Sequence, residues 1–430
     1  MMAKVAVRRS SSLSGVVEAP SSKAYTHRAV IAASLSTGES VIRKPLVCDD
    51  TEATVNAVRA YGAKVGEGEA EWIVCGSSKL EMTKGVIDCG ESAATMRFVT
   101  PITAHGSGVT KLTGGESLRK RPMEPLLVAL RQLGVVCYSL DGSGRPPLVV
   151  HGGGIRGGVA SIPGDISSQF ISGLLFASPL AKGDVEIRLS STLESRSYVE
   201  MTLEVLKDHR VAVRSSPDMR EFFILHNQNL APFNRVIPGD YSSAAFLLAA
   251  AAVTSSKVRV SNLEKRSLQG DRAIAEILMQ MGADLKVRDG CVELEGTGSL
   301  EAVQVDARDI PDLAPVCAVL GCYANGRTVI RNARRLRMKE SDRIESLVTE
   351  LNRMAAKVTT SGDDIVVESP CKLRGTTINS HHDHRIAMAC SVAALGADGE
   401  TEIQNADCVS KSYPSFYKDL RSLGGNIIDG

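Results

Sequence analysis

The sequence predicts an α/β protein of two similar halves, three units to a half, each half with mixed sheets outside and buried helices inside or the reverse. A sixfold recurrence, a shorter echo and the chain length carry that expectation. A helix-like segment ending in a small residue, then a short strand-like run, returns as AVRAYGAKV (57–65), ALRQLGVVC (129–137), VLKDHRVAV (205–213), ILMQMGADLKV (277–287), LNRMAAKVT (351–359) and DLRSLGGNI (419–427). The copies stand roughly 70 residues apart, with room for two strand–helix pairs and a further strand. In four of the six, Gly follows the last apolar helical position, as expected of a left-handed C-cap; the third and fifth copies lack it. The echo is PGDISSQF (163–170) and PGDYSSAAF (238–246), a turn followed by Asp or Ser able to cap an apolar helix. At 430 residues and 43% hydrophobic content, the chain can bury a sizeable core and is too long for one ordinary domain.

Charge narrows the function. Lys plus Arg (50) nearly cancels Asp plus Glu (49), and a net +1 argues against nucleic acid or a membrane as the main partner. Any use of cations must therefore cluster them locally. The ten Cys form no CxxC pair and no zinc-finger spacing, so free thiols in a cytoplasmic protein are expected. AAFLLAAAAV (244–253), the most apolar stretch, has about half the length of a membrane span and reads as a buried helix.

In chain order, MMAKVAVRRS (1–10) alternates like a strand and carries no apolar leader or transit pattern. PSSKAYTHR (20–28) then places Lys23, His27 and Arg28 at the opening of an apolar helix, where free N–H groups and the helix dipole add to the cations in favouring a phosphate or carboxylate. CGESAATMRF (89–98) is a Gly-Glu-Ser turn leading into a helix that bears Arg97, and RKRP (119–122) adds three cations before another apolar helix.

The densest site is LRMKESDR (336–343), with five charges in eight residues directly before the helix-like run IESLVTELN. Its Arg and Lys suit an anion and its acids suit proton movement; the ordinary alternative is a solvated helix terminus. HHDHR (381–385) offers metal-type ligands, but adjacent positions do not converge on one ion, so Asp383 and His384 read as a capped helix start with Arg385 one residue inside. Lys411, in SKSYP, reads on its own as a solvated loop lysine.

Taken together, SSKAYTHRA, CGESAATMR, RKRPM, PGDISSQF, IPDLAP, LRMKESDRI, HHDHRIAMA and SKSYP, in this order over nearly the whole chain, closely resemble the 5-enolpyruvylshikimate-3-phosphate synthase family. The resemblance implies an inside-out α/β barrel of two similar domains, each of three βαβαββ repeats. It also implies transfer of the enolpyruvyl group of phosphoenolpyruvate to the 5-hydroxyl of shikimate 3-phosphate, with phosphate released through a tetrahedral intermediate. No metal or organic cofactor is implied, and the family is usually monomeric.

Both substrates are small polyanions, which explains why a site for them needs many Arg and Lys. By resemblance, Lys23, Arg97, Arg121, Arg343, Arg385 and Lys411 hold phosphoenolpyruvate. Arg28, Ser167, Ser168, Ser195, Tyr198 and Lys339 match positions that bind shikimate 3-phosphate, to which Lys23 and Asp312 also belong, and Gln169 lies between the ligands. Asp312 matches the acid that takes the 5-hydroxyl proton. Glu340 matches the group that protonates the methylene carbon and later removes that proton, with Lys23 assisting.

Four positions depart from the family pattern. Ala24 replaces a frequent Ser, Glu91 a usual Asn and Arg335 an Asn of some members, so Arg335 is left unassigned. Ala93 stands where Gly is usual, beside Ala94 in place of Thr, and its methyl should reject the inhibitor glyphosate while sparing the shorter phosphoenolpyruvate. The related UDP-N-acetylglucosamine enolpyruvyl transferases carry a Cys in the RKRP region, and none lies between Cys89 and Cys137 here. An inactive anion-binding relative is the other alternative; Lys23, Asp312, Glu340 and Lys411 together speak against it. The resemblance also places residues 1–19 and 239–430 in one domain and 20–238 in the second, with the ligands in the cleft.

Overall fold

The computed structural model describes residues 4–77, 80–81, 85–296 and 298–430. Two compact units emerge, one of Met1–Pro20 with Pro238–Gly430 and one of Ser21–Ile237. Each unit holds three repeats of one pattern: strand, buried helix, strand, amphipathic helix, strand, strand. The repeated segments predict two strand–helix pairs and one further strand; the structure adds a fourth strand that closes a hairpin, as the βαβαββ expectation holds. That strand escapes a residue-level reading because it follows the third across a tight turn with no separate helix to announce it.

Every sheet runs in the order first, second, fourth, third. In the second unit, for example, Gly158–Ile162 pairs in parallel with Val185–Leu189, which pairs antiparallel with Glu221–Ile224, which pairs antiparallel with Val213–Ser215. A parallel pair needs a crossover, and the crossover is the buried helix, here Ser168–Ala177. In Ala324–Arg331's sheet the first strand is split into Leu300–Glu301 and Gln304–Asp306.

The chain's start is shared between two repeats. Lys4–Arg8 is the fourth strand of the sheet containing Glu400–Gln404 and Ile427–Asp429, and Ser14–Glu18 is the first strand beside Lys257–Leu263. The strand expected in MMAKVAVRRS is therefore present from Lys4 onward, and residues 1–3 lie outside the described part. Likewise Arg235–Val236, at the end of the Ser21–Ile237 unit, supplies the first strand beside Gly38–Arg43.

Within each unit the helices are inside and the sheets outside. Tyr241–Val253 is buried at every position from Tyr241 to Ala252, as its all-round apolar sequence requires. Ala314–Tyr323 and His384–Gly396 pack with it in one unit, and Lys23–Ser34, Ala93–Thr103 and Ser168–Ala177 form the core helices of the other. Strands alternate buried and exposed residues, for instance in Val185–Leu189, so that one face lies on the helices.

Local signals explain where the helices begin and end. Ser22, Ser92, Ser167, Asp240, Asp342 and Asp383 each accept a backbone N–H from the first helical turn. At the C-termini of the six amphipathic helices the same two bonds recur: Gly62, Gly134, Arg210, Gly282, Ala355 and Gly424 donate three residues back, and the next residue donates five residues back. This is the Schellman motif, and all six residues have positive φ. The two copies without Gly keep the motif, with Arg210 at φ 63° and Ala355 at φ 65°.

Candidate active site

In the unit that carries both termini, three helix starts bring the charged motifs together. The 3-10 turn Pro311–Leu313 presents Asp312, the segment before Arg343–Arg353 presents Lys339 and Glu340, and the start of His384–Gly396 presents Arg385. Asp312 Oδ1 lies 3.3 Å from Lys339 Nζ, 3.1 Å from an Arg343 terminal nitrogen and 3.3 Å from Arg385 Nε. Glu340 accepts from Arg343 at 2.7 Å, and its other oxygen is 3.6 Å from Lys411 Nζ. The predicted residues Asp312, Lys339, Glu340, Arg343, Arg385 and Lys411 thus form one cluster.

Arg343 is the hub. Its side chain is 1% exposed, and it also donates to both carboxylate oxygens of Asp383, at 2.9 and 3.1 Å. Asp383 has a double duty: Oδ1 also accepts the Arg385 N–H that caps the helix, and Oδ2 accepts from Ser341. Its capping role was legible in sequence; its ion pair, spanning forty residues, was not. Burial opposes the Arg343 charge, but Asp383, Glu340 and Asp312 outweigh it and raise its pKa.

The same balance sets the acids and the lysine. Burial alone would raise the Asp312 carboxyl, but Arg385, Lys339 and Arg343 hold it well below the usual carboxylate range. For Lys339 burial wins: with Arg343 and Arg335 repelling it, its pKa falls to about 8 despite Asp312. Behind Asp312, the buried Asp271 is pushed up to about 7, by burial first and then by the Asp312 charge. Ser242 donates to Asp271. No sequence signal singled out Asp271, since an acid in a helix-start turn is ordinary.

One expectation needs correction here. Lys411 is not a solvated loop residue; it ends the 3-10 segment Ala406–Lys411 and is 7% exposed. The histidines of HHDHR go separate ways, with His381 bonded to Glu350 at 2.9 Å. Glu340, Asp383 and His384 do bring metal-type ligand atoms within 4.8 Å of one another. Both carboxylates there hold the Arg343 guanidinium, so a metal ion would meet a fixed positive charge. Arg337 and Asp342 behave as surface charge and helix cap: they pair at 3.0 Å, and Asp342 accepts from the Glu345 N–H.

The other unit presents its own group of cations. Lys23 opens the helix Lys23–Ser34 and pairs with the buried Asp50 at 2.8 Å. Arg97 donates to Gln169 at 2.8 Å and to Ser167 at 3.2 Å, and its guanidinium lies over the Phe170 ring. Ser168 is buried beside them in the first turn of its helix. Of the three cations in RKRP only Arg121 is buried, at 6% exposure, while Lys120 pairs with Glu116 on the surface. The Arg97 and Arg121 segments are stitched together by Glu91, which accepts the Leu118 N–H at 2.8 Å, and by a Gly115-to-Gly90 backbone bond. Glu91 therefore serves as a cap for the short helix Glu116–Arg119, a role its sequence position does not reveal.

Arg28 and His27 differ from the reading of a helix start that simply faces an anion. Arg28 is 2% exposed and uses three of its donors on Thr202, the Ala24 carbonyl and the Tyr198 carbonyl. It ties Tyr198 to this helix, and burial lowers its pKa to about 10. Tyr198 follows Ser195, the left-handed residue that starts Arg196–Asp208. His27 is a core residue bonded to Thr54 at 2.6 Å, and burial keeps it neutral with a pKa of about 3. Ala93, the first residue of Ala93–Thr103, is 6% exposed.

The profile of the EPSP synthase (3-phosphoshikimate 1-carboxyvinyltransferase) family matches residues 7–420. The chain belongs to this family. Its 3-phosphoshikimate 1-carboxyvinyltransferase relatives include one from Methanocaldococcus jannaschii, 42% identical over 424 residues that cover 98% of each chain. One from Methanococcus maripaludis is 41% identical over 424 residues, 98% of this chain and 99% of its own. Among solved structures, the EPSP synthase of Acinetobacter baumannii superposes with a TM-score of 0.83 at 26% identity, covering 100% of both chains. The two-unit arrangement of six βαβαββ repeats is the EPSP synthase fold, and the family membership makes this chain an enzyme of the carboxyvinyltransferase class.

Proposed function

We propose that the protein transfers the enolpyruvyl group of phosphoenolpyruvate to the 5-hydroxyl of shikimate 3-phosphate by addition and elimination. The observation that best supports this is the Asp312 carboxylate within 3.3 Å of Lys339, Arg343 and Arg385, beside a second acid, Glu340. In the addition step the 5-oxygen bonds to C2 of phosphoenolpyruvate and passes its proton to Asp312, while Glu340 gives a proton to the methylene carbon. In the elimination step the bond from C2 to the phosphate oxygen breaks, the departing phosphate takes up the proton held by Asp312, and Glu340 takes a proton back from the methyl carbon, restoring the double bond.

The cations that keep Asp312 ionised also make it a weak base. Bound phosphates and carboxylates compete for Lys339, Arg343 and Arg385, which raises the proton affinity of Asp312 once both substrates are in place. Arg97, Arg121, Gln169, Lys23, Arg343, Arg385 and Lys411 are assigned to phosphoenolpyruvate. Ser167, Ser168, Gln169, Ser195, Tyr198, Arg28, Lys23 and Lys339 are assigned to shikimate 3-phosphate. Among the described residues no helix is long and apolar enough to cross a membrane. From the family resemblance we read the protein as cytoplasmic, monomeric and in need of no metal. Sedimentation at working concentration and activity after EDTA treatment check the last two points.

Phosphate release from phosphoenolpyruvate, assayed with shikimate 3-phosphate, with UDP-N-acetylglucosamine and with neither, tests the reaction. Release only with shikimate 3-phosphate is expected. A folded protein that releases none with it overturns the proposal. Glyphosate tolerance rests on Ala93: a buried methyl leaves little slack for a longer ligand, so A93G should tighten competitive inhibition by about 10–100-fold. Equal inhibition constants in the two proteins would remove Ala93 from the explanation.

A further inference from the structure

Away from that cluster, two thiols meet where the helix Ala314–Tyr323 ends against the residues that follow the strand Asp364–Ser369. Cys322 is fully buried, and Cys371 is half-buried. The Cys371 N–H donates to the Cys322 carbonyl at 3.0 Å, and the Ser369 hydroxyl lies 2.6 Å from that carbonyl and 3.8 Å from Cys371 Sγ. A direct N–H···O=C contact brings the two backbones close enough for a disulfide between these residues to be open to them. The Cys371 S–H donates to the Glu368 carbonyl at 3.3 Å.

We propose that Cys371 and Cys322 form a reversible thiol–disulfide site, with Cys371 as the attacking thiol toward hydrogen peroxide and Cys322 as the resolving thiol. The Cys371 thiolate attacks one peroxide oxygen, the O–O bond breaks, and hydroxide leaves a sulfenic acid on Cys371. Cys322 Sγ then attacks Cys371 Sγ, the S–O bond breaks, and the departing hydroxide leaves as water with the Cys322 proton. Peroxide is reduced and two thiols are oxidised to one disulfide. A thiol reductant reverses the link by exchange.

The surroundings divide the roles. Cys371 is half-buried and is the thiol of the pair that peroxide can reach; the adjacent Cys322 thiol lowers its pKa to about 6 against burial, helped by the Lys357 N–H and the Ser369 hydroxyl. Cys322 is fully buried and out of reach of peroxide in solution, so it can only answer a sulfenic acid formed on Cys371. Two other cysteines are half-buried. Of these, Cys408 is pushed up to about 12 by burial, and Cys75 Sγ faces the Glu39 carboxylate at 3.9 Å.

The test uses the full chain and one equivalent of hydrogen peroxide. The expected result is loss of two titratable thiols and of two hydrogens in intact mass, with a Cys322–Cys371 peptide in a non-reducing digest that dithiothreitol removes. C322A should accumulate a dimedone-trapped sulfenic acid at Cys371, and C371S should keep its remaining thiols at the same dose. The proposal is overturned if another cysteine reacts first, if Cys371 passes to sulfinic acid unlinked, or if the link runs to Cys390 or to a second chain. The wild-type digest decides these outcomes even if a variant fails to fold.

Discussion

Lys339 and Arg343 are both cations beside Asp312, yet burial treats them differently because Arg343 has three carboxylates and Lys339 has one. With its pKa lowered to about 8, Lys339 is charged below that pH and loses its proton as pH rises through it. Its attraction for a phosphate is therefore present at neutral pH and lost in mild alkali. We expect kcat/KM for shikimate 3-phosphate to fall above about pH 8 and K339R to remove the fall, since a guanidinium stays charged. A wild-type profile that is level to well above that pH would contradict this. D312N should lower kcat by about 100- to 10,000-fold through loss of the proton acceptor, measured as phosphate release. D383A differs in kind: it removes one of the three acids that answer the buried Arg343 charge together with a helix cap, and should cost about 2–4 kcal/mol in urea unfolding.

At the scale of elements, the six Schellman ends provide a controlled comparison. Gly282 has φ +89°, and a Cβ built there meets nothing within 4 Å, so replacing it probes backbone conformation alone. G282A should destabilise the protein by about 1 kcal/mol, the usual penalty of a left-handed non-glycine residue. Ala355 already bears that penalty at φ 65°. A355G should gain about 0.5–1 kcal/mol, part of the relief being offset by the freer unfolded chain. Urea midpoints of the two variants should move in opposite directions, and parallel shifts would refute the argument. The weakness of the third and fifth repeats in sequence thus has a physical meaning: hydrogen bonds of the motif hold a residue type that local preference alone would not place there.

At the scale of the molecule, each of the six sheets lies wholly within one unit, including the late strand Arg235–Val236 that returns to Gly38–Arg43. A chain of residues 21–237 keeps all three of its sheets and its own core, so it should fold alone. Cooperative thermal unfolding with helical circular dichroism is the expected result, and a non-cooperative melt would count against it. The other unit cannot be cut out as one segment, because Lys4–Arg8 and Ser14–Glu18 fill places in sheets otherwise built from the second half of the chain. The Asp240 N–H bonds to the Pro20 carbonyl at 2.8 Å, which holds the outgoing and returning segments side by side.

The sequence by itself determined the repeat, the buried helices and most of their caps, because apolar periodicity, a capping side chain and a turn glycine act within a few residues of where they stand. It also placed LRMKESDR and HHDHR at helix starts. What only the tertiary structure decided is which of those charges are buried and what answers them. Lys23 finds Asp50 at a separation of 27 residues, Arg343 finds Asp383 at 40, and Arg385 finds the Asp312 carbonyl at 73. The same distance in sequence hid the Cys322–Cys371 pair, the dispersal of the HHDHR histidines and the return of Lys4–Arg8 to the last sheet. Local order is written in neighbouring residues, whereas burial and ion pairing depend on which surfaces the chain brings together, and no short window of sequence contains both partners.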